Sequence, residues 1–131
     1  MQISEVVFLL LVGYLIAGLL VTALKFGLHM PRPSVVFGSH VVHSWEMPDS
    51  PFSFPSGHSA FAMLIAATFW MRTNRIALKM ALLIYIVWVG FSRINLGMHF
   101  PFDVVSGFAI GAFSAWMANN VLSYLKRRGA V

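Results

Sequence analysis

The chain contains no cysteine, only four acidic residues, and just 10% charged residues among its 131. Without cysteine there are no disulfides, thiolate metal sites or cysteine nucleophiles, although the compartment is left open. A soluble domain would carry about 25% charged residues, so the scarcity of charge argues against one. The first residues, Met1 to Glu5, include no Lys or Arg, and no small-residue cleavage site closes the apolar run that follows. That run is therefore expected to stay as a helix rather than to leave as a signal peptide. No internal repeat or low-complexity stretch is visible.

What the chain has in abundance is apolar surface. Hydrophobic residues make up 59% of it, with a mean hydropathy of +0.80, the composition of an integral membrane protein. Its length bounds it to a single domain, 1–131. A net charge of +5 and a pI near 10.3 raise the question of a nucleic-acid partner. Nucleic-acid binding would need a basic stripe interleaved with aromatics. Here the positive residues sit at the ends of apolar runs, so no nucleic acid is expected.

Four apolar segments run from about Ile3 to Leu24, Gly57 to Met71, Ile76 to Leu96 and Pro101 to Leu125. A spanning helix needs roughly 20 apolar residues. The first, third and fourth meet that; the second is short, but Phe61 to Ala67 is continuous and helix-compatible. The expected fold is all-α, a polytopic membrane bundle of about four transmembrane helices. One long connection, about His29 to Pro55, holds five of the six prolines together with Glu46 and Asp49. Arg72, Arg75, Lys79, Lys126, Arg127 and Arg128 gather on one side, which the positive-inside rule assigns to the cytoplasm. The long loop then lies outside, and so do Lys25 at the end of the first helix, Ser56-Gly57-His58 opening the second, Arg93 closing the third, and His99 and Asp103 opening the fourth.

These polar residues have definite chemistry to offer. Ser56 is a good N-cap, and the helix start behind it offers unpaired N–H groups and a positive dipole end to an anion. Gly57 lets a ligand approach the backbone closely, and His58 stands beside it. An ordinary capped helix with an interfacial histidine would look the same. His99 and Asp103, four apart, share a helix face; a carboxylate there can fix the imidazole tautomer and leave the other nitrogen as nucleophile. The alternative is an acid complementing the helix dipole. Lys25, Arg32 between two prolines, and Arg93 can hold phosphate oxygens, or snorkel to the headgroups. His40, His43 and Glu46 have loose metal-ligand spacing but no compelling fourth ligand and are read as interfacial or exposed, with no metal or other cofactor expected. Trp45, Phe52 and Phe54 are expected to anchor the loop among the headgroups.

Taken together, Lys25, six residues, Arg32-Pro33; Pro55-Ser56-Gly57-His58; and Ser92-Arg93, five residues, His99, three residues, Asp103 resemble a known three-part signature. It is that of the type 2 phosphatidic acid phosphatase superfamily, which also includes vanadium haloperoxidases and glucose-6-phosphatase. The resemblance implies that His99 is the nucleophile forming a phosphohistidine, with Asp103 orienting it. It implies that His58 is the general acid and later the base, and that Lys25, Arg32, Arg93, Ser56 and the Gly57 N–H clamp the phosphate. Membrane members commonly have six helices, so this chain is expected to be a short one: a minimal member, a truncated product, or a chain completed by a partner. The implied activity is metal-independent hydrolysis of a lipid phosphate or diphosphate at the outer face, in a bacterial inner membrane. Polyprenyl diphosphate, phosphatidylglycerol phosphate and phosphatidic acid are the substrates considered. The expected partners are that lipid, the surrounding membrane lipids and, as a further arrangement, a homo-oligomer. A lipid phosphotransferase using the same intermediate and a non-catalytic membrane subunit are the alternatives.

Overall fold

The computed structural model describes residues 2–42 and 50–129. Four long helices carry the fold: α1 (Ile3–Leu28), α3 (Gly57–Arg72), α4 (Ile76–Asn95) and α5 (Pro101–Arg127), with a five-residue α2 (Pro33–Phe37) and a 3-10 turn at Ser39–Val41 in the long connection. Among the described residues α1, α4 and α5 are long and apolar enough to cross a membrane. The molecule is thus an all-α polytopic membrane bundle with three apolar spans. At 16 residues, α3 is about 24 Å long.

Helix α1 runs a full turn beyond the expected end at Leu24. Nothing breaks it until His29, which takes a left-handed φ of 51° and returns its N–H to the Lys25 carbonyl. Lys25 therefore lies in the last turn, half-buried, rather than beyond it. The described part of the long connection before residue 43 contains short helical turns. Pro33 at the first helical position starts α2, where its fixed φ is already helical and its missing N–H costs nothing.

Helix α3 packs against α1, α4 and α5. Its contact with α5 is built on two buried glycines, Gly107 and Gly111, which lie against Ser56, Ser59 and Ala60 and against Ala60, Met63 and Leu64. A Cβ on Gly107 would fall 2.4 Å from the Ser56 carbonyl oxygen, and one on Gly111 only 2.2 Å from that of Ala60. The two backbones thus meet through a small-xxx-small seam, the arrangement that lets membrane helices gain van der Waals contact at short range. Leu9 of α1 packs with Ala118 and Leu122 of α5 on the other side. Helix α4 is peripheral: Gly90 is its one buried residue, and Ile84, Val87, Trp88 and Phe91 point outward. In water such a face would be a liability; in a bilayer it meets lipid.

One end of the bundle is laced by charge. Arg72, closing α3, lies 3.9 Å from Glu5 of α1 and donates to Asn119 Oδ1 of α5 at 2.9 Å. Lys126 of α5 pairs with the same Glu5. The other end, where α1 and α4 finish and α3 and α5 begin, gathers the chemistry-bearing residues.

Candidate active site

Five residues separate α4 from α5, and they fold back tightly. The Arg93 carbonyl accepts the N–H groups of both Met98 (3.2 Å) and His99 (3.3 Å). Gly97 makes the turn at φ 68°, and a Cβ there would lie 1.9 Å from the Val41 carbonyl oxygen. Only glycine fits both demands. His99 is delivered to the mouth of α5 with 5% of its surface exposed.

Asp103 sits one turn further along. Its N–H donates to the Phe100 carbonyl (3.0 Å), and its Oδ2 accepts the Phe100 N–H (2.8 Å), closing the first turn of α5. The same Oδ2 accepts a hydrogen bond from the Ser53 hydroxyl and faces His99 Nδ1 at 3.6 Å. That separation exceeds a hydrogen bond, and Nδ1 has no hydrogen-bond partner among the described residues. The carboxylate expected to accept the imidazole N–H therefore stands opposite it, already engaged by two other donors. Burial lowers the His99 pKa below its usual value of 6.5; Asp103 pulls it up, and the positive charges of Arg32 and Lys25 push it down. The shift favours the neutral imidazole, the form that can act as a nucleophile.

The start of α3 is fastened to the same place. Ser56 N–H donates to the Asp103 carbonyl at 3.0 Å. Ser56 is fully buried, and its hydroxyl oxygen accepts from the Ser59 N–H (3.3 Å) and the Ser59 hydroxyl (2.9 Å) as a helix cap. Behind this cap, half-buried Gly57 and exposed His58 form the first turn. A Cβ on Gly57 would meet only Val21 Cγ1, at 3.7 Å, so the backbone there is open to approach.

Arg32 is buried (5% exposed), with Nε donating to the Ser50 carbonyl at 2.7 Å and Nη1 to the Met98 carbonyl at 2.9 Å. Its guanidinium ties the loop to the residue before His99, a structural task that the sequence does not announce. Arg93 is half-buried, with Nε and Nη2 within 3.3 and 3.4 Å of the Ser92 hydroxyl. An open cleft of about 630 Å³ reaches His99, lined also by Phe37, His40, Ile94 and Pro101.

The fold therefore brings Lys25, Arg32, Ser56, Gly57, His58, Arg93, His99 and Asp103 to one end of the bundle. Phe54 departs from expectation: it is buried and stacks on Phe102 (5.5 Å), since the segment before α3 packs under the start of α5 rather than into the interface. His40 is exposed; His43, Trp45, Glu46 and Asp49 lie outside the described residues. Among the described residues no three His, Asp or Glu side chains cluster as a metal site would. Ser53, buried beneath Asp103, is the residue that sequence reasoning missed.

Comparison with known proteins gives one consistent answer. The PAP2 superfamily model matches residues 6–127. Phosphatidylglycerophosphatase B of Haemophilus influenzae is 32% identical over 97 residues, covering 67% of this chain and 38% of that protein. Lipid A 1-phosphatase of Rhizobium johnstonii is 33% identical over 104 residues, 74% of this chain and 40% of the other. The chain thus spans about two fifths of the length of these curated relatives. The crystal structure of LpxE from Aquifex aeolicus superposes with a TM-score of 0.79 at 28% identity, over 90% of this chain and 69% of that one.

Proposed function

The chain belongs to the PAP2 superfamily, and on that premise we propose that it hydrolyses a lipid phosphate or diphosphate, without a metal ion, through a phosphohistidine at His99. The observation that carries the proposal is the buried His99–Asp103 pair, 3.6 Å apart. It lies at the end of the bundle that also holds the last turn of α1, with Lys25, and the start of α3.

In the proposal each group has a defined task. Asp103 faces Nδ1, which leaves Nε2 of the neutral imidazole to attack phosphorus. As the P–N bond forms, the P–O bond to the lipid breaks, and imidazolium His58 gives its proton to the departing oxygen. Neutral His58 then takes a proton from water; the hydroxide oxygen attacks phosphorus, the P–N bond breaks, and inorganic phosphate leaves. Phosphoryl transfer asks the protein mainly to position groups and to stabilise charge on the equatorial oxygens. Lys25, Arg32 and Arg93, with the Gly57 N–H and the capped turn at Ser56, do this in the proposal, taking the place of a metal ion.

The membrane setting supports a lipid substrate, whose tail in the bilayer delivers its headgroup to the cleft. Polyprenyl diphosphate, phosphatidylglycerol phosphate and phosphatidic acid are the candidates, and lipid A joins them because the relatives' names include both a phosphatidylglycerophosphatase and a lipid A 1-phosphatase. In this reading α3 crosses as a fourth span, residues 1–131 act as one domain, and the basic end of the bundle lies in the cytoplasm. The reaction then takes place on the outer face of a bacterial inner membrane. The test is phosphate release from that panel with EDTA present. Activity that persists in EDTA, yields to vanadate and vanishes in His99→Ala supports the proposal; full activity in His99→Ala refutes it.

A further inference from the structure

We propose that Ser53 is a positioning residue for the reaction, aiming the Asp103 carboxylate at His99. The inference rests on the phosphohistidine reading above and adds a residue outside the signature. Ser53 is wholly buried, and its hydroxyl donates to Asp103 Oδ2. Its backbone has its own anchor: the Ser53 N–H donates to the Met30 carbonyl at 2.8 Å, and neighbouring Phe52 pairs with Pro31. The side chain is not what holds the loop in place, so its hydrogen bond acts on the carboxylate.

The consequence is geometric. A carboxylate turns about its last torsion unless donors fix its plane, and that torsion has no sharp minima of its own. Oδ2 receives the Phe100 N–H from its own helix and the Ser53 hydroxyl from the loop. The two donors approach from different elements and set the plane in which Oδ2 faces Nδ1 at 3.6 Å. In the resting enzyme the imidazole N–H stands just outside hydrogen-bond range. Catalytic hydrogen bonds of this sort close as the transition state forms. When His99 attacks phosphorus and gains positive charge, a carboxylate already aimed at Nδ1 has only a few tenths of an ångström to travel. Without Ser53 the Phe100 N–H is the one donor left on Oδ2 among the described residues, and the carboxylate must be re-aimed in each turnover.

The test compares Ser53→Ala, Ser53→Thr and His99→Ala, reading kcat, KM and the inhibition constant of inorganic phosphate. Partners that orient metal-ligating side chains are worth roughly 10–100-fold, and the same scale is taken here for a partner that orients a catalytic carboxylate. Ser53→Ala is expected to lose kcat in that range, while KM and the phosphate constant stay within about twofold. Ser53→Thr, which keeps the hydroxyl, is expected to recover most of the loss. A Ser53→Ala enzyme with wild-type kcat overturns the proposal. So does a loss matched by an equal weakening of phosphate inhibition, which would mean that the loop itself has moved. A Ser53→Thr enzyme as slow as Ser53→Ala, with phosphate inhibition intact, also overturns it. Activity retained in His99→Ala would instead remove the phosphohistidine reading, whatever Ser53 does.

Discussion

Replacing Gly107 by alanine tests whether the contact between α3 and α5 sets the geometry of the site. The added Cβ would lie 2.4 Å from the Ser56 carbonyl oxygen and 2.9 Å from Ser59 Cβ, where ordinary contact begins near 3.4 Å. The helices have to part by about 1.0 Å, the difference between the first and last of those distances. Ser56 is the cap of α3 and bonds to the Asp103 carbonyl, so the displacement moves Gly57 and His58 against His99. Overpacking a seam of this kind costs about 1–3 kcal/mol, partly offset by the roughly 0.5–1 kcal/mol by which alanine is the better helix former. Misplacing catalytic groups by about 1 Å costs on the order of 100-fold in rate. Gly107→Ala should therefore fold, with a modestly lower Tm, and lose about two orders of magnitude in kcat. Gly111→Ala clashes with the Ala60 carbonyl at 2.2 Å, one turn further from the site, and should lose similar stability but less rate. Gly18→Ala is the control, since nothing lies within 4 Å of its added carbon. Phosphate release and thermal unfolding in detergent measure both effects. Wild-type kcat in Gly107→Ala, or equal damage from Gly18→Ala, would refute the reasoning.

Three further outcomes follow from the same contacts. Because burial lowers the His99 pKa, the proposed nucleophile should take up its proton only below pH 6.5, and the acidic limb of kcat/KM should lie beneath that value; a limb above it would contradict the assignment. The same shift links to stability, since the unfolded histidine takes up its proton near pH 6.5 and the folded one only lower. This contribution is intact above that pH, falls as pH drops below it, and levels off beneath the folded pKa, as unfolding against pH would show. Arg32→Lys keeps the charge but cannot span the Ser50 and Met98 carbonyls together, so a loss of about 1.5–3 kcal/mol for each hydrogen bond broken should appear with a fall in kcat. At the opposite end, Glu5→Gln removes the anion shared by Arg72 and Lys126; it should lower Tm while leaving kcat near wild type, and reduced turnover at full stability would count against a purely structural role.

The sequence carried the site better than the packing around it. Lys25, His58, Arg93, His99 and Asp103 stood out as candidates because ionisable residues beside apolar spans are costly, Ser56 because it suits an N-cap, and Arg32 because two prolines flank it. Helix counting alone then brings them to one side. Ser53 was not legible, since its contact is with Asp103, fifty residues away in the chain, and a lone serine in a loop has many bland explanations. The Gly107-x-x-x-Gly111 spacing was open to reading as a packing motif, but its partners Ser56 and Ala60 emerge only from the fold. Phe54 was assigned to the interface on its aromatic character and instead stacks on Phe102. The end of α1 was set where the apolar run meets Lys25, whereas the helix ends where His29 turns left-handed. Hydropathy reports what lipid tolerates, and backbone conformation decides where a helix stops.

The phosphoenzyme is the most direct test of the central claim. The protein, with EDTA present, is mixed with a lipid phosphate labelled at its phosphorus and quenched within a turnover, and the label is located by peptide mapping. The account predicts an acid-labile, base-stable phosphoryl group on His99 that forms and decays at rates matching kcat, and none in His99→Ala. Label on any other residue, or steady turnover with no phosphoenzyme while His99→Ala stays active, would contradict it.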